Sequence, residues 1–381
     1  MRTSTFSLCA VASAGVLLAL ACPAAADTPW FAPYVSTPIS NGPGPGPAPR
    51  GTVSADFNSD GKADIVTIGN FSYGNLLFAP GNGNGTFGAT SEIAGTSGVQ
   101  GIDTGDLNGD GKPDIVAMTT SQVLIEFGNG HGGFTAGGSY PMTLGGQVEP
   151  RVMDVNGDGK ADVVAPTFTA IQTLLNNGNG TFRAGPTTQI PGAGAISAIS
   201  PARLDNDGRA DLFAVDGFSS TAFALRGTGT GAFTVSGQLY LTGLVPEDVA
   251  AIDLNGDGYD DVATVGSFSF TLATALTNGA GAFTTTTAAT TQYSGPGPTS
   301  LTAADFNGDG RTDLAVSSLA SPAPTIKVLA GNGTTSMQAE GDYAVAVLPQ
   351  NPVVADFTGD GKPDIVTAGP GALSTLRNIT A

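Results

Sequence analysis

The sequence predicts an all-β fold: seven four-stranded blades arranged as a β-propeller, with the ring closed by an N-terminal strand that completes the last blade. Three observations predict it. A segment first seen as Ala55-Asp56-Phe57-Asn58-Ser59-Asp60-Gly61-Lys62-Ala63-Asp64 recurs, with small changes, through the 381 residues. Its seven copies start at Asp56, Asp106, Asp154, Arg203, Asp253, Asp305 and Asp356, and so lie 50, 48, 49, 50, 52 and 51 residues apart. That spacing matches the size of a propeller blade. Between copies stand short apolar runs and glycine-rich turns, with no stretch of helical periodicity.

The chain opens with Met1-Arg2, an apolar stretch from Phe6 to Ala21 and the small-residue run Ala24-Ala25-Ala26. Residues 1–26 are expected to be a secretory signal peptide, and residues 27–381 a single propeller domain in a secreted protein. Both cysteines, Cys9 and Cys22, fall inside the leader, so the mature chain is expected to hold no disulfide. Lipidation of Cys22, or retention in a periplasm, is the alternative destination. No other segment is apolar for the roughly 18 residues a spanning helix needs, so no membrane span is expected.

Each period holds four strand signals. In the first they are Gly51 to Ala55, Ile65 to Ile68, Asn75 to Phe78, and a last strand opening at Phe87 after the turn Gly81-Asn82-Gly83-Asn84-Gly85. The second strands of the later copies (Ile115 to Met118, Val163 to Ala165, Leu212 to Val215, Val262 to Val265, Leu314 to Val316, Ile365 to Thr367) are continuously apolar. Such runs are expected where neighbours cover both faces of a sheet. The seventh copy ends at Ala381, after a third strand at Leu373 to Leu376. Phe31-Ala32-Pro33-Tyr34 resembles the fourth-strand openings at Phe134, Phe182, Phe233 and Phe283, so the N-terminal strand is expected to fill the missing place. Gly42 to Pro49 then reads as a stiff inter-blade connection, with Gly295-Pro296-Gly297-Pro298 at the comparable place before the sixth loop.

The recurring loop has the form Asp-x-Asn-x-Asp-Gly-x-x-Asp. Oxygen ligands at alternate positions of a tight loop converge on one centre, glycine at position 6 allows the sharp turn, and the carbonyl at position 7 adds a ligand. Hard oxygens without His or Cys suit calcium. The expected ligands are Asp56, Asn58, Asp60, Lys62 and Asp64; Asp106, Asn108, Asp110, Lys112 and Asp114; and Asp154, Asn156, Asp158, Lys160 and Asp162. In the later repeats they are Asp253, Asn255, Asp257, Tyr259 and Asp261; Asp305, Asn307, Asp309, Arg311 and Asp313; and Asp356, Thr358, Asp360, Lys362 and Asp364. The position-7 residues Lys62, Lys112, Lys160, Tyr259, Arg311 and Lys362 would act through the backbone oxygen. The fourth loop keeps Asp205, Asp207 and Asp211 but has Arg203 at position 1, where a guanidinium repels calcium. Arg203 is expected to bridge Asp207 and Asp211, preserving the loop's shape and leaving about six Ca2+ ions.

Of the chain's 32 acids, 21 stand at positions 1, 3, 5 and 9 of these loops, so the formal charge of −18 is mostly ligand charge. It also excludes nucleic acid as a partner, because phosphates would be repelled. At about 1 mM extracellular calcium and a dissociation constant of about 0.1 mM, each ion contributes about 1.4 kcal/mol, and six contribute roughly 8 kcal/mol. Structural staples are expected rather than catalytic centres.

The motif Asp-Phe-Asn-Gly-Asp-Gly-Arg-Thr-Asp at 305 to 313, with Gly-Asn-Gly-Asn-Gly-Thr-Phe at 81 to 87, resembles the FG-GAP/VCBS repeat over essentially the whole mature chain. The resemblance implies the seven-bladed propeller of integrin α-subunit heads and of a fungal calcium-containing lectin, with metal loops between the first and second strands of each blade. Such propellers serve as adhesion modules, lectins and appendages of enzymes.

Catalytic constellations are scarce. His131 is the only histidine, in the turn Gly128 to Gly133, and no Gly-x-Ser-x-Gly or His-Glu-x-x-His occurs. No catalytic residue or organic cofactor is expected. The expected function is a non-catalytic, monomeric extracellular binding or adhesion module, for carbohydrate first and a surface protein next. The alternatives are a propeller attached to, or acting as, a polysaccharide-modifying lyase or dehydratase, and a protein-binding surface scaffold. The lone tryptophan, Trp30, belongs to the closing strand, where packing is its expected role.

Overall fold

The computed structural model describes residues 29–39, 51–69, 74–142, 149–241, 244–266, 271–285, 289–292, 298–318, 324–346, 349–369 and 371–380. The leader with Cys9 and Cys22, the Gly42 to Pro49 connection and Gly295 to Gly297 lie outside the described residues.

Seven antiparallel sheets of four strands make up the described chain. Each second strand begins at the last aspartate of its loop, for example Asp64–Ile68, Asp114–Met118 and Asp364–Gly369, and every residue in these strands is buried. The apolar runs thus lie where the sequence places them, sandwiched between neighbouring blades. Seven apolar clusters each join one blade to the next, and the last joins Ile65, Ala79 and Phe87 of blade 1 to Phe357, Val366 and Leu373 of blade 7. That contact closes the ring.

Blade 7 is completed from the opposite end of the chain. Val35–Pro38 pairs antiparallel with Ala372–Leu376, in the register Val35↔Thr375 to Pro38↔Ala372. Phe31 adds an isolated bridge to Asn378. Its ring stands edge-on to Phe306 at 5.5 Å and to Tyr343 at 5.2 Å, both in blade 6. Trp30 is buried beside it and donates its backbone N–H to the Tyr343 hydroxyl at 2.9 Å.

Two strand starts differ from expectation. Phe134, Phe182 and Phe233 open fourth strands, but Phe87 and Phe283 make only isolated bridges, to Gly81 and Thr277. The fourth strands of blades 1 and 5 begin later, at Ser91–Ile93 and Ala289–Gln292. The ladder is irregular at the same place elsewhere: blades 2, 3, 4 and 6 carry register shifts just beyond the turn. Four blades absorb the irregularity as a bulge, and in blade 1 it widens into a break between the Phe87 bridge and Ser91.

Candidate metal loops

Each recurring loop joins the first and second strands of its blade, and the residue at position 2 fastens it to the next blade. Phe57, Leu107, Val155, Leu204, Leu254, Phe306 and Phe357 are all buried in the cluster shared with that neighbour. Phe57 meets Phe134 at 5.6 Å, and Phe357 meets Phe87 at 5.7 Å. The carbonyls of Phe57, Val155, Leu204 and Phe357 accept N–H groups from glycines in the next blade's outer turn. A change in loop conformation therefore acts directly on an interface between blades.

Position 9 is a latch present in all seven blades. Asp64, Asp114, Asp162, Asp211, Asp261, Asp313 and Asp364 are at most 1% exposed. Each accepts one backbone N–H from position 2 and one from the end of the third strand. In blade 1 these come from Phe57 at 3.0 Å and Gly81 at 2.7 Å, and in blade 4 from Leu204 at 2.9 Å and Gly227 at 2.8 Å. Burial pushes these carboxyls up against the lowering effect of the N–H donors, and Asp114, Asp261 and Asp313, with the acids at positions 5 and 1 adding to the shift, reach about 6. The sequence marks position 9 as a ligand, and the structure shows that it also joins the loop to the third strand.

Positions 1, 3 and 5 shape the turn. In blade 2, Asp106 accepts N–H groups from Gly109 at 2.7 Å, Asp110 at 3.2 Å and Gly111 at 2.8 Å, while Asn108 Oδ1 accepts the same Asp110 N–H at 2.8 Å. One amide thus draws the oxygens of positions 1 and 3 together, and the arrangement repeats at Asp56 and Asn58, Asp154 and Asn156, Asp253 and Asn255, and Asp305 and Asn307. In blade 7 Asp356 accepts the Asp360 N–H, and Thr358 stands at position 3. The position-5 carboxylates lie outermost, where Asp60, Asp110 and Asp158 pair with Lys62, Lys112 and Lys160 at 3.2, 3.4 and 3.3 Å. Among the described residues no three His, Cys, Asp or Glu side chains stand close enough to form a ready-made metal cage. The donor set of six loops still fits a hard cation: three carboxylates, an amide or hydroxyl oxygen and a carbonyl within nine residues.

Loop 4 differs from expectation. Arg203 touches neither Asp207 nor Asp211. Its guanidinium donates to Asn206 Oδ1 at 2.6 Å and lies over the Tyr259 ring at 6.0 Å, and its backbone N–H donates to Asp260 at 2.7 Å. The arginine that enters the loop is Arg226, from the third strand Thr221–Gly227, which pairs with Asp205 and, at 3.4 Å, with Asp207. Asp207 is held below the usual carboxylate range, first by the Arg209 N–H and then by the charges of Arg209 and Arg226. Nothing in the repeat unit marks Arg226; only aligning the third strands reveals a charge there.

A second cluster lies in the central channel, a cavity of about 400 Å³ lined by first strands. Arg151 pairs with Glu149 at 2.8 Å, and Asn351 of blade 7 contacts the same carboxylate across the ring. Asp103 and Asp248 accept N–H groups from Val152 at 2.7 Å and Leu301 at 3.0 Å in the following blades. Burial, followed by the Glu149 charge, pushes Asp248 up to about 6. These residues stand three or five places before the loop, where other repeats carry Val53, Gly101, Ala198, Ala250 or Val353. Outside both clusters, His131 is exposed in its turn, and no described helix is long and apolar enough to cross a membrane.

Comparison with known proteins bears on the fold. A lectin of Agrocybe aegerita that recognises non-reducing terminal N-acetylglucosamine is 20% identical with a TM-score of 0.52, over 77% of this chain and 81% of its own. BBS1N, solved in complex with ARL6DN, gives a TM-score of 0.63 at 12% identity over 92% and 97%. A protein from Lactobacillus plantarum gives 0.56 at 10% over 86% and 98%. Among curated proteins none matches. The FG-GAP-like repeat matches residues 56–117, 106–165, 154–214, 203–264 and 253–316, and the FG-GAP repeat matches residues 297–348. With those repeats running through most of the chain and folded as seven blades, the protein belongs to the FG-GAP repeat family.

Proposed function

We propose that this protein is a secreted, non-catalytic binding module whose ring is stapled by about six calcium ions and whose ligand is an extracellular carbohydrate. The observation that carries the calcium reading is the sixfold recurrence of one oxygen donor set on a loop whose second residue anchors the next blade. Aspartates at positions 1, 5 and 9, the side-chain oxygen at position 3 and the carbonyl at position 7 would hold each ion. A bound ion supplies the positive charge that three carboxylates in one turn lack, and so fixes position 2 in the inter-blade core.

The carbohydrate reading is supported by the fold shared with a lectin, and by a leader expected to send the chain outside the cell. Chelation is expected to lower the melting temperature by more than about 10 °C, with calcium restoring it, since six sites together rival a domain's stability. A melting curve indifferent to EDTA would sink the calcium reading. A glycan array probed with the calcium-loaded chain tests the ligand class, and retention on a protein surface with no glycan signal would replace carbohydrate by a protein partner.

A further inference from the structure

Loop 4 departs from the other six at three linked places. At position 1 it has no carboxylate, so the N–H groups that Asp106 or Asp305 gathers have no such acceptor here. At position 4, Ser59, Gly109, Gly157, Gly256, Gly308 and Gly359 take left-handed φ between 59° and 80°, whereas Asn206 does not. Position 3 is a carboxylate, Asp205, which is buried and accepts the Asp207 N–H at 2.8 Å. The loop keeps its glycine turn at Gly208 and its latch at Asp211, and between them it takes another course.

The Arg226 guanidinium meets that altered course. Nε faces Asp205, and a terminal nitrogen lies 3.4 Å from Asp207, which Arg209 also approaches at 3.5 Å. At the same place in the third strand the other blades carry Pro80, Phe127, Leu175, Leu276, Ala330 and, in blade 7, Arg377. A guanidinium facing two carboxylates supplies the charge that an ion would supply there, with one hydrogen bond, to Asp207 at 3.4 Å. Arg203 stays outside, joined to blade 5: its carbonyl accepts the Asp260 N–H at 2.8 Å while its own N–H returns to the Asp260 carboxylate.

We infer that Arg226 is the resident cation of loop 4, so that the propeller takes up six ions and blade 4 keeps its loop when they are withdrawn. The inference rests on the calcium reading above for the six, and on contacts already present for the seventh. Its consequence is graded dismantling: removing calcium loosens six inter-blade anchors and leaves Leu204 seated.

Two measurements on the full mature chain test it: calcium per chain after exhaustive dialysis, and amide hydrogen exchange of each loop with and without EDTA. Six equivalents are expected, with EDTA speeding exchange about tenfold or more in six loops and leaving residues 204–211 unchanged. Arg226→Met is expected to release those amides at any calcium level, while Arg226→Lys, which keeps the charge, retains part of their protection. Arg203→Asp with Arg226→Met is expected to add a seventh equivalent. Seven equivalents in the native chain, EDTA-sensitive exchange at 204–211, or Arg226→Met exchange identical to native would each overturn the inference. Zero equivalents would overturn the calcium reading alone, leaving Arg226 to be judged by the exchange of its variants.

Discussion

Blades 4 and 7 solve the same problem with opposite resources. Blade 4 is a continuous stretch of chain, flanked by clusters of thirteen and twelve buried apolar residues among those described. It also carries its own counter-charge in Arg226. Blade 7 takes its fourth strand from the other end of the chain, and the clusters on its two sides hold nine and eight such residues. Its loop has three acids and no guanidinium paired with them among the described residues, and is expected to depend on an ion. Among the described residues the apolar core is thus larger beside blade 4 than beside blade 7, where strands from far apart in the chain meet.

The largest test of that contrast is removal of residues 27–47. Blade 7 then loses the partner of Ala372–Leu376, and Phe306 loses Phe31, so no stable monomer is expected by size-exclusion chromatography. A folded, monomeric truncation would show that blade 7 needs no fourth strand.

A smaller effect compares the two latches. Asp211→Ala and Asp364→Ala each leave two buried N–H groups without an acceptor, which costs roughly 2–4 kcal/mol by denaturant titration. Asp364 holds Asn378, which bridges to Phe31, so its loss is also expected to expose the N-terminal strand to protease. Equal proteolysis of the two variants would remove the difference between the blades.

The smallest effect is in pH. Carboxyls at Asp114, Asp261 and Asp313 pushed up to about 6 bind protons more tightly folded than unfolded. Their contribution is full below the unfolded value and is lost as pH rises through about 6. Metal-free protein should accordingly melt higher at pH 5 than at pH 7, with added calcium reversing the order. An unchanged ranking in calcium would separate these carboxyls from metal binding.

The repeat period and the motif Asp-x-Asn-x-Asp-Gly-x-x-Asp made seven blades legible, and Phe31 made the closure legible, because each is a local pattern recurring at a fixed offset. Starts at Phe87 and Phe283 were misplaced because a bulge is set by how adjacent strands twist, which no single strand encodes. Arg203 was assigned the wrong partners for a related reason. Position 1 is read along one loop, whereas Arg226 reaches Asp205 and Asp207 from a strand about twenty residues after them. The channel residues Glu149, Arg151 and Asn351 were missed because their meeting depends on the ring being closed.

Closure also sets an order of events in time. Val35 pairs with Thr375, so a strand made early must wait for one made late. Contacts this distant in sequence slow folding. Blades 1 to 6 can assemble as the chain emerges, but the edge left open beside Phe306 stays unsealed until Ala372–Leu376 has been made. A polypeptide interrupted anywhere before its final strands would carry that exposed edge permanently, and truncated products should be the ones that aggregate or meet quality-control proteases.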